Sequence, residues 1–289
     1  MVDGQGFMGI GVETVPEEES GEQKIKWKDY LVAVFGASAE DNMMAIKNSK
    51  AAGRLLAEQG YDAINGGYAV GGMGAMAEGY ADACQEVGMN GDQIKNHLNG
   101  LTSPEFADRQ VNPQANIKEM ASMKDRLQAL VEGSDAYIAT EGGKGTVEEV
   151  ITALKAEKSH SKEDSEHIAK PVIIIDNEHL ALKTLLENQN VQMGDITPDT
   201  FYILSGKTAE ERAPGQSIHD LETIPNSLPG NEQMAEQTRL ILEYHYLLKQ
   251  NDAESAGRIN ELKKQLFDPS SGIQVLTLDD IIRGDKAES

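Results

Sequence analysis

The sequence predicts an α/β protein: a doubly wound, mainly parallel sheet followed by a mainly helical C-terminal extension. Three observations carry that prediction. Short apolar runs of strand length alternate with longer segments whose apolar residues recur at helical spacing. Glycines follow three of those runs, at Gly36, at Gly66 to Gly74 and at Gly142 to Gly145. After residue 210 the texture changes, first to prolines among polar residues and then to helical periodicity. Strands alternating with helices imply parallel pairing with both faces of the sheet covered.

Taken in order, residues 1–28 read as a Gly- and Glu-rich tail anchored by Trp27. "YLVAVFGAS" (30–38) is a buried strand, and residues 40–59 are a helix stopped by Gly60. "YDAIN" (61–65) is a second strand ending in the turn Gly66-Gly67, and residues 73–87 form a helix with Met73 and Met76 in its core face. Residues 88–98 are polar and assign to no element. A third strand centres on Leu101 and stops at Pro104. Residues 114–132 read as one helix, "DAYIAT" (135–140) as a fourth strand, and Thr146 to Lys158 as a helix followed by a charged loop at 159–167. "KPVIIID" (170–176) is a buried strand, with a helix at 178–189 and a strand near 201–205 after it. Helices at 231–251 and 253–267 and an apolar stretch at 272–278 follow. The expected organisation is a tail (1–28), an α/β domain (29–211) and the helical extension (212–289).

Composition narrows the function. Net charge is −22, from 48 acidic and 26 basic residues, a field that repels nucleic acid and anionic membranes. Cys84 is the only cysteine, so an internal disulfide and a cysteine metal cluster are both excluded. The six histidines show no metal-ligand spacing. The first twenty residues lack the basic and apolar regions of a signal peptide, and no apolar run approaches membrane-spanning length. The expectation is a cytoplasmic protein without nucleic-acid or membrane partners.

Ligands of such sheets bind beyond the carboxyl ends of the strands, where the glycine clusters fall. In "ATEGGKGTVEEV" (139–150) a strand ends, glycines turn the backbone and a helix begins. Free amides at a helix start, aided by the helix dipole, attract a phosphate, and Thr146 offers a hydroxyl. Lys144 is followed by Gly145, so this is not a Walker A loop. On its own the loop reads equally as a phosphate cradle or as an ordinary glycine turn into a helix. A Schiff-base role for Lys144 is disfavoured, because it sits in a glycine turn rather than an apolar pocket.

The surrounding residues resemble a known family. "EGGKGTVEE" (141–149) is similar to the P-G-G-x-G-T-x-x-E signature of the Lonely Guy nucleoside-monophosphate phosphoribohydrolases, many of which carry the label "possible lysine decarboxylase". "MKDR" (123–126) fits the family's M-x-x-R element, with its Arg 23 residues before the signature Glu, as in the family pattern. "NGGYAVGGMGAM" (65–76) resembles the family's glycine segment, and the likeness covers roughly residues 30–211. It implies a Rossmann-like nucleotide-binding fold and hydrolysis of a nucleoside 5′-monophosphate to free base and ribose 5-phosphate. It further implies a purine substrate such as AMP or a cytokinin-like nucleotide, no cofactor or metal, and a homo-oligomer, a dimer or a multiple of dimers.

Carried over residue by residue, Arg126 and Glu149 are the catalytic pair. Gly142, Gly143, Gly145 and Thr146 hold the 5′-phosphate, Gly66, Gly67, Gly71 and Gly74 let backbone approach the nucleotide, and Ser38 makes a polar contact. The chain departs from the pattern at Glu141 (Pro in the family), Asn65 (Tyr), Tyr68 (the third Gly), Ala69 (Ser) and Leu127 (Lys). Glu141 is expected to turn outward from an exposed loop and pair with Lys144 or Lys124. A non-hydrolytic nucleotide binder of the same fold is the alternative, and an interaction protein using the C-terminal helices is a third.

Overall fold

The computed structural model describes residues 25–39, 42–163, 168–175, 201–204 and 229–267. Its strands are β1 (Lys28–Phe35), β2 (Tyr61–Asn65), β3 (Leu98–Thr102), β4 (Asn116–Glu119), β5 (Ala136–Thr140), β6 (Val172–Ile175) and β7 (Phe201–Leu204). Its helices are α1 (Met43–Glu58), α2 (Gly71–Glu86), α3 (Gly91–Lys95), α4 (Met123–Gly133), α5 (Lys144–Glu163), α6 (Pro229–Gln250) and α7 (Ala256–Phe267). The strands form one seven-stranded sheet in the order β4-β3-β2-β1-β5-β6-β7. Every pairing is parallel.

Alternation along the strands builds two cores. Val32 and Val34 of β1, Ala63 of β2 and Ile138 of β5 face α1, α2 and the C-terminal helices, with Leu56, Met76, Tyr80, Ile241 and Leu262 packed above them. Ala33, Phe35, Tyr137 and Ala139 face the opposite way, against Leu130 and Val131 of α4 and Val150 and Leu154 of α5. Strands buried on both faces read as continuous apolar runs, which is why β1, β5 and β6 stand out in the sequence. Trp27, just ahead of β1, stacks on His97 with ring centroids 3.5 Å apart.

Three expectations are corrected. Residues 114–132 are not one helix. Asn116–Glu119 forms the edge strand β4, and α4 begins only at Met123, where the Ser122 side chain accepts the Asp125 N–H. Only Ile117 of β4 is even half-buried, so the strand carries almost no apolar pattern. The loop expected from residue 159 is helical through Glu163. The unassigned 88–98 stretch contains α3, started by a reciprocal Asn90–Gln93 capping box. The helix expected at 178–189, the apolar stretch at 272–278 and residues 1–24 of the tail lie outside the described residues.

The sheet changes winding direction between β1 and β5, so the loops after these strands diverge and open a crevice at the carboxyl edge. The buried hydroxyls of Ser49 (α1) and Thr140 (the last residue of β5) meet there at 2.7 Å. The predicted glycine loops rim this edge.

Candidate active site

Two helices on one face of the sheet bring the proposed pair together. Arg126 lies one turn into α4 and is 4% exposed. Its Nε donates to the Leu101 carbonyl at the end of β3 (2.8 Å), and Nη1 lies 3.9 Å from Met123 Sδ. Glu149 lies in the second turn of α5, and its Oε1 is 3.6 Å from Arg126 Nη1. That separation makes an ion pair rather than a tight hydrogen bond. The Glu149 side chain is only 15% exposed. Burial pushes its carboxyl up to about 7, against the opposing pull of Arg126 and with a further push from Glu148. A carboxylate that exchanges its proton near neutrality suits general acid–base work.

The glycine turn delivers the start of α5 to the same crevice. Lys144, Gly145 and Thr146 occupy the first turn, and the first helical hydrogen bond runs from the Val147 N–H to the Gly143 carbonyl. The N–H groups ahead of Val147 therefore have no partner within the helix. Gly142 is glycine because Thr146 packs over it: a Cβ there would lie 2.2 Å from Thr146 Oγ1. Gly143 and Gly145 have nothing within 4 Å of a Cβ position, so their openness faces solvent. Thr146 is buried and three residues before Glu149, on the same helix face.

One glycine of the second cluster makes room for Arg126. A Cβ on Gly66 would sit 2.3 Å from both Arg126 Nη2 and Met73 Sδ, so only glycine leaves the guanidinium its slot. Gly67 adopts a left-handed φ of 72° and backs onto Thr102, Gly74 backs onto Ala69, and Gly71 (φ 52°) lies against the Ala37, Ser38 and Ala39 backbone. Ser38 is exposed and meets Gly71 there, with no contact to the Arg–Glu pair. Gly66 is thus the one member of this cluster against the pair. Asn65, a departure from the family pattern, accepts the Gly67 N–H at 2.8 Å and donates to the Met73 carbonyl at 3.0 Å, which braces the loop.

Glu141 does not stand on an exposed loop as expected; it is 7% exposed. The neighbouring Lys144 side chain is 89% exposed and lies 3.7 Å from Glu148. An ammonium so hydrated lacks the desolvation that activates Schiff-base lysines. Met73 and Met76 are both buried, as expected of core residues.

Sequence reasoning passed over two parts of the site. The Leu101 carbonyl orients Arg126, and main-chain acceptors leave no residue-type signal. The Glu105 carboxylate accepts the Met123 N–H at 3.0 Å, tying the β3–β4 connection to the start of α4. The Ser122-x-x-Asp125 spacing was a legible sign that the helix starts there.

The fold and site together define a parallel α/β protein whose carboxyl edge presents a glycine turn, a helix start and a buried Arg–Glu pair. Residues 73–213 match the family model described as "Possible lysine decarboxylase". It is 26% identical over 180 residues to a probable cytokinin riboside 5′-monophosphate phosphoribohydrolase of Oryza sativa subsp. japonica, covering 62% of this chain and 79% of the relative. It is also 26% identical over 134 residues to a cytokinin riboside 5′-monophosphate phosphoribohydrolase of Arabidopsis thaliana, covering 45% of this chain but only 58% of that protein. Among solved structures it resembles the molybdenum cofactor binding protein of Rippkaea orientalis, with 24% identity, 62% of this chain and 91% of that chain covered, and a TM-score of 0.42. Among the described residues no helix is long and apolar enough to cross a membrane, and no group of three or more His, Cys, Asp or Glu residues could hold a metal ion.

Proposed function

We propose that the protein hydrolyses the N-glycosidic bond of a nucleoside 5′-monophosphate, releasing the free base and ribose 5-phosphate, with a purine nucleotide such as AMP or a cytokinin-like nucleotide as substrate. The observation that carries this reading is the buried Arg126–Glu149 pair, one helical turn beyond the unpartnered amides at the start of α5. The 5′-phosphate sits on the Lys144, Gly145 and Thr146 N–H groups and the Thr146 hydroxyl, favoured by the helix dipole. Glu149, on the same helix face, then meets the anomeric carbon. As the C1′–N bond breaks, its electron pair leaves with the base and positive charge grows on the ribose. The Glu149 carboxylate stabilises that charge and takes a proton from the attacking water, whose oxygen bonds to C1′. Arg126, permanently charged and fixed by Leu101, holds the negative charge developing on the nucleotide. The phosphoribohydrolase names of the relatives support the same reading.

Incubation with a panel of nucleoside monophosphates, with released base measured by chromatography, tests it. The buried Glu141 favours a second reading, because it sets a carboxylate beside the turn where the family pattern has proline. In that case the site binds a nucleotide or related phosphate without cleaving it, and the panel shows affinity but no base.

A further inference from the structure

Tyr68 stands where the family's glycine segment has its third glycine, yet its side chain is among the most deeply buried in the molecule, at 2% exposure. Its hydroxyl makes two hydrogen bonds to one residue. The Ser103 N–H donates to it at 3.0 Å, and it donates to the Ser103 carbonyl at 3.2 Å. The ring meets Phe106 edge-on. On either side of Tyr68 the backbone is paired with the far end of the β3–β4 connection: Ala69 N–H to the Gln110 carbonyl and Asn112 N–H to the Gly67 carbonyl, both 2.9 Å. Tyr68 therefore fastens the loop after β2 to the loop after β3.

Those two loops are the walls of the Arg126 slot. Gly66 closes it from the β2 side. Leu101, two residues before Ser103, holds Arg126 Nε from the β3 side, and Glu105, two residues after Ser103, holds the first turn of α4 through the Met123 N–H. We propose that Tyr68 is a positioning residue: by locking Ser103 to the glycine loop it fixes the distance between the Arg126 guanidinium and the Glu149 carboxylate, and so sets the proton affinity of that carboxylate. This rests on the function proposed above. Arg126 is the cation that acts on Glu149, and Glu148 opposes it. Glu148 neighbours Glu149 on α5 and Glu141 lies in the turn ahead of α5, while the adjoining ends of β5 and β6 carry Thr140 and Ile175.

The test is Tyr68→Phe in the full chain, which keeps the ring and removes both bonds to Ser103. Two readouts are compared with wild type: the acid limb of the pH dependence of kcat/KM, and the titration of the Glu149 carboxyl carbon by NMR, assigned with Glu149→Gln. With Arg126 loosened, the Glu149 midpoint moves upward by about half a pH unit or more, and kcat/KM near neutral pH falls about tenfold. A merely structural tyrosine lowers the melting temperature and leaves the midpoint in place. A midpoint and pH profile that superimpose on wild type overturn the proposal. If wild type cleaves no nucleotide the proposed reaction fails, and the NMR midpoint alone still decides whether Tyr68 positions the pair.

Discussion

Arg126 Nη1 and Glu149 Oε1 face each other at 3.6 Å across the contact between α4 and α5, both largely shielded from water. The pair is close enough for mutual attraction, but the carboxyl remains harder to ionise than one in water because burial outweighs the arginine's pull. Such a group is held in place and is still free to exchange a proton.

Replacing Glu149 by Gln keeps the shape and removes the charge that the transition state requires. Turnover is expected to fall by about a thousandfold or more, with nucleotide affinity within a few-fold. Glu148→Gln, at a largely exposed position, leaves the rate within about threefold. Single-turnover kinetics on both variants make the comparison, and equal losses would contradict the assignment of roles.

The raised carboxyl also makes stability depend on pH. Glu149 keeps its proton to about pH 7 in the folded chain, against 4.5 for the ordinary group. Between those values the folded state binds more protons than the unfolded state, so this group's contribution to stability falls as pH rises. Glu149→Gln, which mimics the protonated acid, therefore melts above wild type at pH 8, by on the order of 2–3 kcal/mol, and the gap closes towards pH 5. Differential scanning calorimetry at the two pH values measures it.

In the reaction the ionised Glu149 is the active form. The pH dependence of kcat/KM should therefore rise about tenfold per unit below pH ~7 and level off above it. A rate that falls through the same range would assign Glu149 as a proton donor instead.

Two glycine substitutions separate packing from ligand approach. Gly66→Ala forces a methyl onto Arg126 and Met73, and is expected to cost about 1–3 kcal/mol of stability as well as activity. Gly143→Ala meets no protein atom and should leave stability within about 1 kcal/mol. If phosphate rests on the turn, Gly143→Ala weakens monophosphate binding in calorimetric titration with no change in melting temperature.

Much of this was legible in the sequence, and the rest failed for physical reasons. Val172–Ile175 shows in the sequence because a strand buried on both faces reads as a continuous apolar run. The carboxyl-edge placement of Gly66 and Gly142 followed from the strand–helix alternation alone. Asn116–Glu119 was hidden because an edge strand exposed on most of its surface needs no pattern. The burial of Glu141 was hidden too, since residue type favours exposure and only the tertiary fold covers it. The Tyr68–Ser103 clamp joins residues 35 apart through a main-chain partner, and periodicity does not encode such a contact.

Initial rates of base release from AMP and from adenosine, measured side by side on the wild-type chain, test the proposed chemistry most directly. An Arg–Glu pair beside a phosphate-holding helix start predicts stoichiometric adenine and ribose 5-phosphate from AMP, and no release from adenosine. Equal rates on the two compounds would contradict the phosphate anchor at Gly142 to Thr146. Tight AMP binding with no adenine released would contradict hydrolysis itself.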